Sequence, residues 1–329
     1  MTTRSVFIAL FAAVAILFMI SLLIGPAGFG LRESIAALLS GQGEATTLVM
    51  REIRLPRAML ACLVGAALGM SGAALQGYLR NPLAEPGLIG VSGGAALGAV
   101  LALQTGLATA TSLALPVAGL TGAAVAVLLL VGLAGARGGS LTLILAGIAV
   151  SALAGALTSL VLNLSPNPFA ATEIVFWTLG SLADRSNLHV ALAGPFIAIG
   201  AVLLLRQTRA LDALTLGEDV AEAMGARLSR VRASIVLGTA FAVGAATAVS
   251  GAVGFVGLVV PHLLRPMVGA RPGLLVWASA PGGAALVLAA DIAVRVILPE
   301  RDLKLGVVMA LIGAPLFFHL ILKTRAVRA

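Results

Sequence analysis

Apolar residues in this chain neither alternate with polar ones nor gather on one helical face. They run on for about the width of a bilayer, stop at a few charged or turn-forming residues, and begin again. Such runs cover residues 5–24, 56–79, 88–105, 113–134, 141–162, 190–205, 233–251, 274–294 and 305–322. A helix crosses the hydrocarbon core in about 20 residues and satisfies its own backbone there. A shorter piece, 255–268, contains Pro261-His262 and predicts a broken, half-length helix. The pattern predicts an all-α integral membrane protein of about ten transmembrane helices, built as one transmembrane domain over 1–329. Residues 26–53 are mixed in polarity and predict an external loop with a short helix near 31–39. Residues 169–189 predict an amphipathic, loop-like connection. The first run is longer than a signal-peptide core and precedes Gly25-Pro26, which favours a membrane helix.

The rest of the chain is organised around 54–98. Arg54-Leu55-Pro56-Arg57 opens an apolar run that ends at Arg80-Asn81-Pro82. Gly65 and Gly69 are four apart, as are Gly90 and Gly94, and Gly94 and Gly98. Small residues at that spacing let helix backbones approach closely where lipid offers no hydrophobic drive for association. A weak echo follows later. Ser71-Gly72-Ala73 then Asn81-Pro82 is matched by Ser250-Gly251-Ala252 then Pro261-His262, with the two runs starting on opposite sides. Such a pattern is consistent with an inverted internal repeat, a common transporter build.

Composition sharpens the picture. The chain is 60% hydrophobic and 10% charged, where soluble domains carry about 25% charged residues. The net charge of +8 does not point to nucleic acid, because no Lys/Arg cluster is interleaved with aromatics. Most basic residues fall on the side holding the N-terminus and the 206–232 connection, which predicts both termini and that connection to be cytoplasmic. The lone Cys62 lies in an apolar run and reads as small filler.

Candidate catalytic chemistry is sparse. No Gly-x4-Gly-Lys-Ser/Thr occurs, so the chain does not hold nucleotide phosphates in a P-loop and is not expected to be an ATPase. His189, His262 and His319 are far apart and lack helix-borne partners, so no metal site is predicted. Ser71 and Ser92 have no nearby His to act as a base. Within the runs, Asp291 and Arg295 stand out, four apart on one helical face. An ion-coupled secondary carrier would bury acidic groups along its path, and Asp291 alone is thin support for one. A membrane scaffold without transport is a third possibility.

Energy must then be supplied from outside the bundle. In 206–232, Leu211, Leu214, Leu216, Val220, Ala221, Met224 and Leu228 recur at near-helical spacing, interrupted by Gly217 and Gly225. Two short helices with a glycine joint would project an apolar and charged knob toward a cytoplasmic partner. A connection of this length is often functional.

Several motifs resemble one family. Arg54-x-Pro56-Arg57, Ser71-Gly72-Ala73, Gln76, Arg80-Asn81-Pro82-Leu83-Ala84-x-Pro86, Leu216-Gly217-Glu218, Met224-Gly225, Gly254-Phe255-Val256-Gly257 through Pro261-His262, and Gly313-Ala314-Pro315 occur in order. They resemble the permease subunits of bacterial type II ABC importers for iron–siderophore, heme and cobalamin. The resemblance implies a homodimer in the inner membrane with the cargo path on its two-fold axis. It also implies two cytoplasmic ATPase subunits and a periplasmic substrate-binding protein. ATPase coupling would fall to Leu214, Leu216, Gly217, Glu218, Ala221, Met224, Gly225 and Arg227. Binding-protein docking would fall to Arg54, Arg57 and Arg295, and a pathway gate to Asn81, Leu83, Ser140 and Leu141. Residues 173–189 and 299–311 look most like heme permeases. Heme is therefore the expected cargo, ahead of ferric siderophore and cobalamin, with no permanently bound cofactor.

Overall fold

Apolar runs in lipid fold as helices because no water is present to satisfy an open backbone, and no strand occurs among the described residues. The computed structural model describes residues 2–326 apart from 26–27, 42, 110, 112, 136–138, 166–167 and 298–302. Its helices are α1 (Thr3–Leu23), α2 (Leu31–Ser40), α3 (Glu44–Leu48), α4 (Leu55–Tyr78), α5 (Val91–Gln104), α6 (Ala114–Ala134), α7 (Ser140–Asn163) and α8 (Pro168–Thr178). They continue as α9 (Asn187–Leu205), α10 (Thr208–Leu214), α11 (Glu218–Ala223), α12 (Leu228–Ser250), α13 (Val256–Leu264), α14 (Pro272–Ile297) and α15 (Leu305–Ala326). Among the described residues, seven helical stretches are long and apolar enough to cross a membrane, and three shorter apolar helices accompany them. Arg137 of the turn after α6 and residues 299–302 of the second cargo stretch lie outside the described residues, as does the His319 side chain.

α4, α12 and α14 form the buried centre, while α1, α7 and α9 lie mostly exposed around it. Glycine sets the central spacing. A Cβ on Gly65 or Gly69 would collide with the backbone of α14 at Gly283 or Ser279, and one on Gly72 with the Gly257 carbonyl of α13. Gly94 and Gly98 of α5 meet Gly122 and Ala118 of α6 in the same manner. Both four-residue spacings thus serve close helix crossings. Gly90 differs: it caps α5 at φ +78°, facing Val150 of α7.

Three elements depart from the sequence pattern. First, α3 runs into α4 through a π-helical turn, Val49–Arg54, where a loop was expected. Pro56 has no N–H to give the carbonyl four residues back, and the wider turn absorbs that break. Second, α8 occupies much of the expected loop 169–189. Glu173 and Trp177 weaken its apolar signal, yet Ile174 is fully buried beneath it. The helix stops at Gly180, φ +75°, where a Cβ would crowd the Ala252 carbonyl. Third, the Ser-Gly-Ala echo does not persist locally. Ser71-Gly72-Ala73 lies inside α4, whereas Gly251 ends α12 at φ +70°. The short piece at 255–268 is, as expected, a nine-residue helix followed by a 3-10 turn.

The end of α8, the end of α12 and the start of α15 converge at one junction. The Ser181 N–H donates to the Ser250 carbonyl at 2.7 Å, and the Gly306 N–H to the Leu179 carbonyl at 3.1 Å.

Candidate functional site

Two polar clusters sit at opposite ends of α14. The first gathers Arg54 from the π turn, Arg57 from α4, and Asp291 and Arg295 from α14. Arg57 places Nη2 2.8 Å and Nε 2.9 Å from Asp291 Oδ1, and Arg295 Nη2 lies 2.9 Å from Oδ2. Arg295 Nη1 also donates to the Ser21 and Ile24 carbonyls at 2.9 and 2.8 Å. Arg54 Nη1 donates to the Leu22 and Leu23 carbonyls at 2.9 and 3.0 Å, and its guanidinium lies over the Phe29 ring. The carbonyls at the end of α1 lack intrahelical partners. Two arginines supply them, and cations are favoured at a helix C-terminus.

The three predicted docking arginines are therefore committed within the chain. Arg54 is 4% exposed and the Arg295 side chain 8%, against 18% for Arg57. Only Arg57 keeps a substantial face toward solvent.

The second cluster is the 206–232 connection, which forms two short helices with a glycine joint, as the periodicity predicts. Gly217 and Gly225 adopt φ +109° and +92°, a region that side-chain-bearing residues rarely enter. Leu214 and Ala221 point inward and are buried. Leu216, Val220 and Met224 are exposed, beside exposed Glu218, Asp219 and Glu222. Arg227 flanks α12 as its N-cap. The Glu218 carboxylate lies 3.5 Å from Arg80 Nη2, linking α11 to the end of α4.

The predicted gate residues are less closely related. Asn81 Oδ1 accepts the Leu83 N–H at 3.0 Å, closing a local turn with both residues exposed. Ser140 and Leu141 begin α7. The described hydrogen bonds do not join the two pairs. The contact between this region and α7 lies further along, where Ser151 Oγ donates to the Gly87 carbonyl at 3.2 Å.

Some polar anchors had no assigned role in the sequence pattern. Gln76, 3% exposed, donates to the Ala84 and Gly257 carbonyls at 3.2 and 3.1 Å and accepts from Arg265 at 2.6 Å. Glu85 accepts the Phe255 N–H at 2.8 Å, at the entrance to α13. Burial pushes its carboxyl up, and that hydrogen bond opposes the shift. The available signal was a polar side chain inside an apolar run for Gln76 and an acidic residue in a short connection for Glu85.

Helices of bilayer length, a positive cluster at one end and an exposed apolar and acidic knob at the other define a multi-span membrane permease. The FecCD transport family matches residues 13–323. The chain belongs to that family, the permeases of type II ABC importers. It is 34% identical over 280 residues to the hemin transport system permease HmuU of Yersinia pestis, covering 84% of each chain. It is 37% identical over 273 residues to the vitamin B12 import permease BtuC of Vibrio cholerae, covering 83% of this chain and 82% of that one. An inward-facing metal-chelate type ABC transporter of known structure superposes with a TM-score of 0.87 at 31% identity, covering 98% of this chain and all of the other. Permeases of this family are membrane subunits and not themselves ATPases.

Proposed function

We propose that this permease moves heme from a periplasmic binding protein to the cytoplasm, as one half of a homodimer in the bacterial inner membrane with both termini cytoplasmic. Heme is favoured by the resemblance of 173–189 and 299–311 to heme permeases. The described parts of these stretches, 173–189 and 303–311, meet in the fold. Lys304 Nζ sits 5.3 Å from the Phe176 ring centroid, and Gly306 bonds to Leu179. The similarity to HmuU supports the same cargo, and the similarity to BtuC favours cobalamin as the second reading.

In this reading, Leu216, Glu218 and Met224 face an ATPase partner, held out by buried Leu214 and Ala221. The two left-handed glycines shape the knob. Arg57 meets a carboxylate of the binding protein, while Arg54 and Arg295 secure α1 behind it. Asn81 and Leu83 close the path against Ser140 and Leu141 of the same or the partner subunit. Ten spans arranged as an inverted repeat accord with the packing of α4 on α14 and of α12 on α6.

The test is uptake into proteoliposomes holding the permease and its ATPase, given binding protein loaded with heme, with ferric siderophore or with cobalamin. ATP-dependent heme uptake is expected. Siderophore or cobalamin uptake without heme uptake would replace the cargo, and uptake on an ion gradient without the ATPase would replace the class.

A further inference from the structure

α14 begins Pro272-Gly273, after Arg271. Proline at the first position gives no N–H, and arginine before it has no acceptor to offer the next one. The Gly273 N–H is thus an orphan donor that nothing local can cap. Asp212 of α10 fills the place from 61 residues away. Its Oδ1 accepts the Gly273 N–H at 2.7 Å, and its Oδ2 accepts from Arg271 Nη2 at 3.2 Å. A Cβ on Gly273 would lie 2.7 Å from the Thr208 carbonyl and 2.9 Å from Asp212 Oδ2. α10 therefore rests directly on the start of α14, with Leu211 and Leu214 buried beneath it.

We propose that Asp212 is a positioning residue for transport: it joins the coupling segment to α14, and so makes α14 a strut between the coupling knob and the Arg57–Asp291–Arg295 cluster. The proposal rests on the ATP-driven reading above. The contrast with Arg80–Glu218 supports it. That pair is 3.5 Å apart and about half-exposed on both sides, and such pairs hold little. The Arg271–Asp212 pair is screened too, with Arg271 65% exposed, but Asp212, 29% exposed, also accepts the Gly273 N–H at 2.7 Å, a charge-assisted bond to the α14 backbone that Glu218 does not make. At 26 residues, α14 reaches about 39 Å at 1.5 Å per residue. Movement of the knob is then carried as displacement of one helix whose far end is also pinned.

The experiment uses the whole importer in proteoliposomes and measures cargo moved per ATP hydrolysed, basal hydrolysis, and affinity for the ATPase. Asp212→Ala should lower cargo per ATP about tenfold, the scale of one lost cap, with affinity for the ATPase unchanged. Asp212→Asn keeps an acceptor for Gly273 and should recover most of the ratio. Should Asp212→Ala fail to assemble, Gly273→Ala keeps the Asp212 side chain but forces α10 off α14, and should lower the ratio in the same way. A wild-type ratio in Asp212→Ala, or in Gly273→Ala where the first fails to assemble, overturns the strut. So does loss of ATPase affinity in proportion to transport, which would make Asp212 a docking residue. No ATP-driven uptake by the wild-type importer, with heme, ferric siderophore or cobalamin, brings down the importer reading and the strut with it.

Discussion

The two ends of α14 use charge in opposite ways. At the Asp291 end, one carboxylate 1% exposed holds two arginines, and a third arginine beside them serves the end of α1. At the Asp212 end, the neighbouring knob leaves Leu216 and Met224 64% and 66% exposed, with carboxylates free to face outward. The first arrangement spends its ionic groups on holding three helices together. The second keeps apolar area and charge available for a partner. Apart from Arg57, which keeps an outward face, residues that stabilise the subunit are therefore separable by substitution from those proposed to meet partners.

Asp291→Ala should have the largest effect. It strands Arg57 and Arg295 without their counter-charge, and breaking a buried pair costs about 3–5 kcal/mol. Thermal unfolding of the purified subunit in detergent should show that loss, and α1 should become protease-sensitive at Ile24. A stability close to wild type would mean that the cluster is solvated and available for docking. Gly72→Ala comes next. Its methyl would enter the Gly257 carbonyl, and the backbone shift should cost about 1–3 kcal/mol. Gly132→Ala, on α6 with open space around it, is the control and should be neutral or slightly stabilising.

These features were unequally legible in the sequence. The Gly65–Gly69 and Gly94–Gly98 faces and the Asp291–Arg295 pair could be found because helical spacing brings residues four apart together. The two short helices of 206–232 could be read for the same reason. Arg57–Asp291 spans 234 positions, and no local periodicity relates them. The arginine caps on α1 were invisible because their acceptors are backbone carbonyls, which every residue carries. The resemblance assigned Arg54, Arg57 and Arg295 to docking; their inward hydrogen bonds, to Asp291 and the end of α1, are additional contacts that spacing along the chain does not reveal. The helix α8 was obscured by a few polar residues, since a buried face needs only Ile174 and its neighbours to pack.

Substitution at the knob should separate binding from stability. Met224→Ala removes a side chain that is 66% exposed, so folding stability should stay within about 0.5 kcal/mol. Affinity for the ATPase should fall by about 1–2 kcal/mol if Met224 is an anchor of the interface. Titration of detergent-solubilised permease against the ATPase measures this. Unchanged affinity would move the contact to Leu216 or Val220.

Arg80→Ala should have the smallest effect and makes the sharpest control. Glu218 and Arg80 satisfy the distance for an ion pair, but both lie about half-exposed, where water and salt screen them. A double-mutant cycle with Glu218→Ala should give a coupling of about 0.2–1 kcal/mol within the isolated subunit. Raising the salt to 1 M should erase it. Yet Glu218→Ala alone should weaken the ATPase complex more than Arg80→Ala does, because in the proposed complex the carboxylate faces the partner and the guanidinium faces the carboxylate. Equal losses from the two substitutions would mean that the pair acts as one internal fastening, and the inner end would then resemble the outer one.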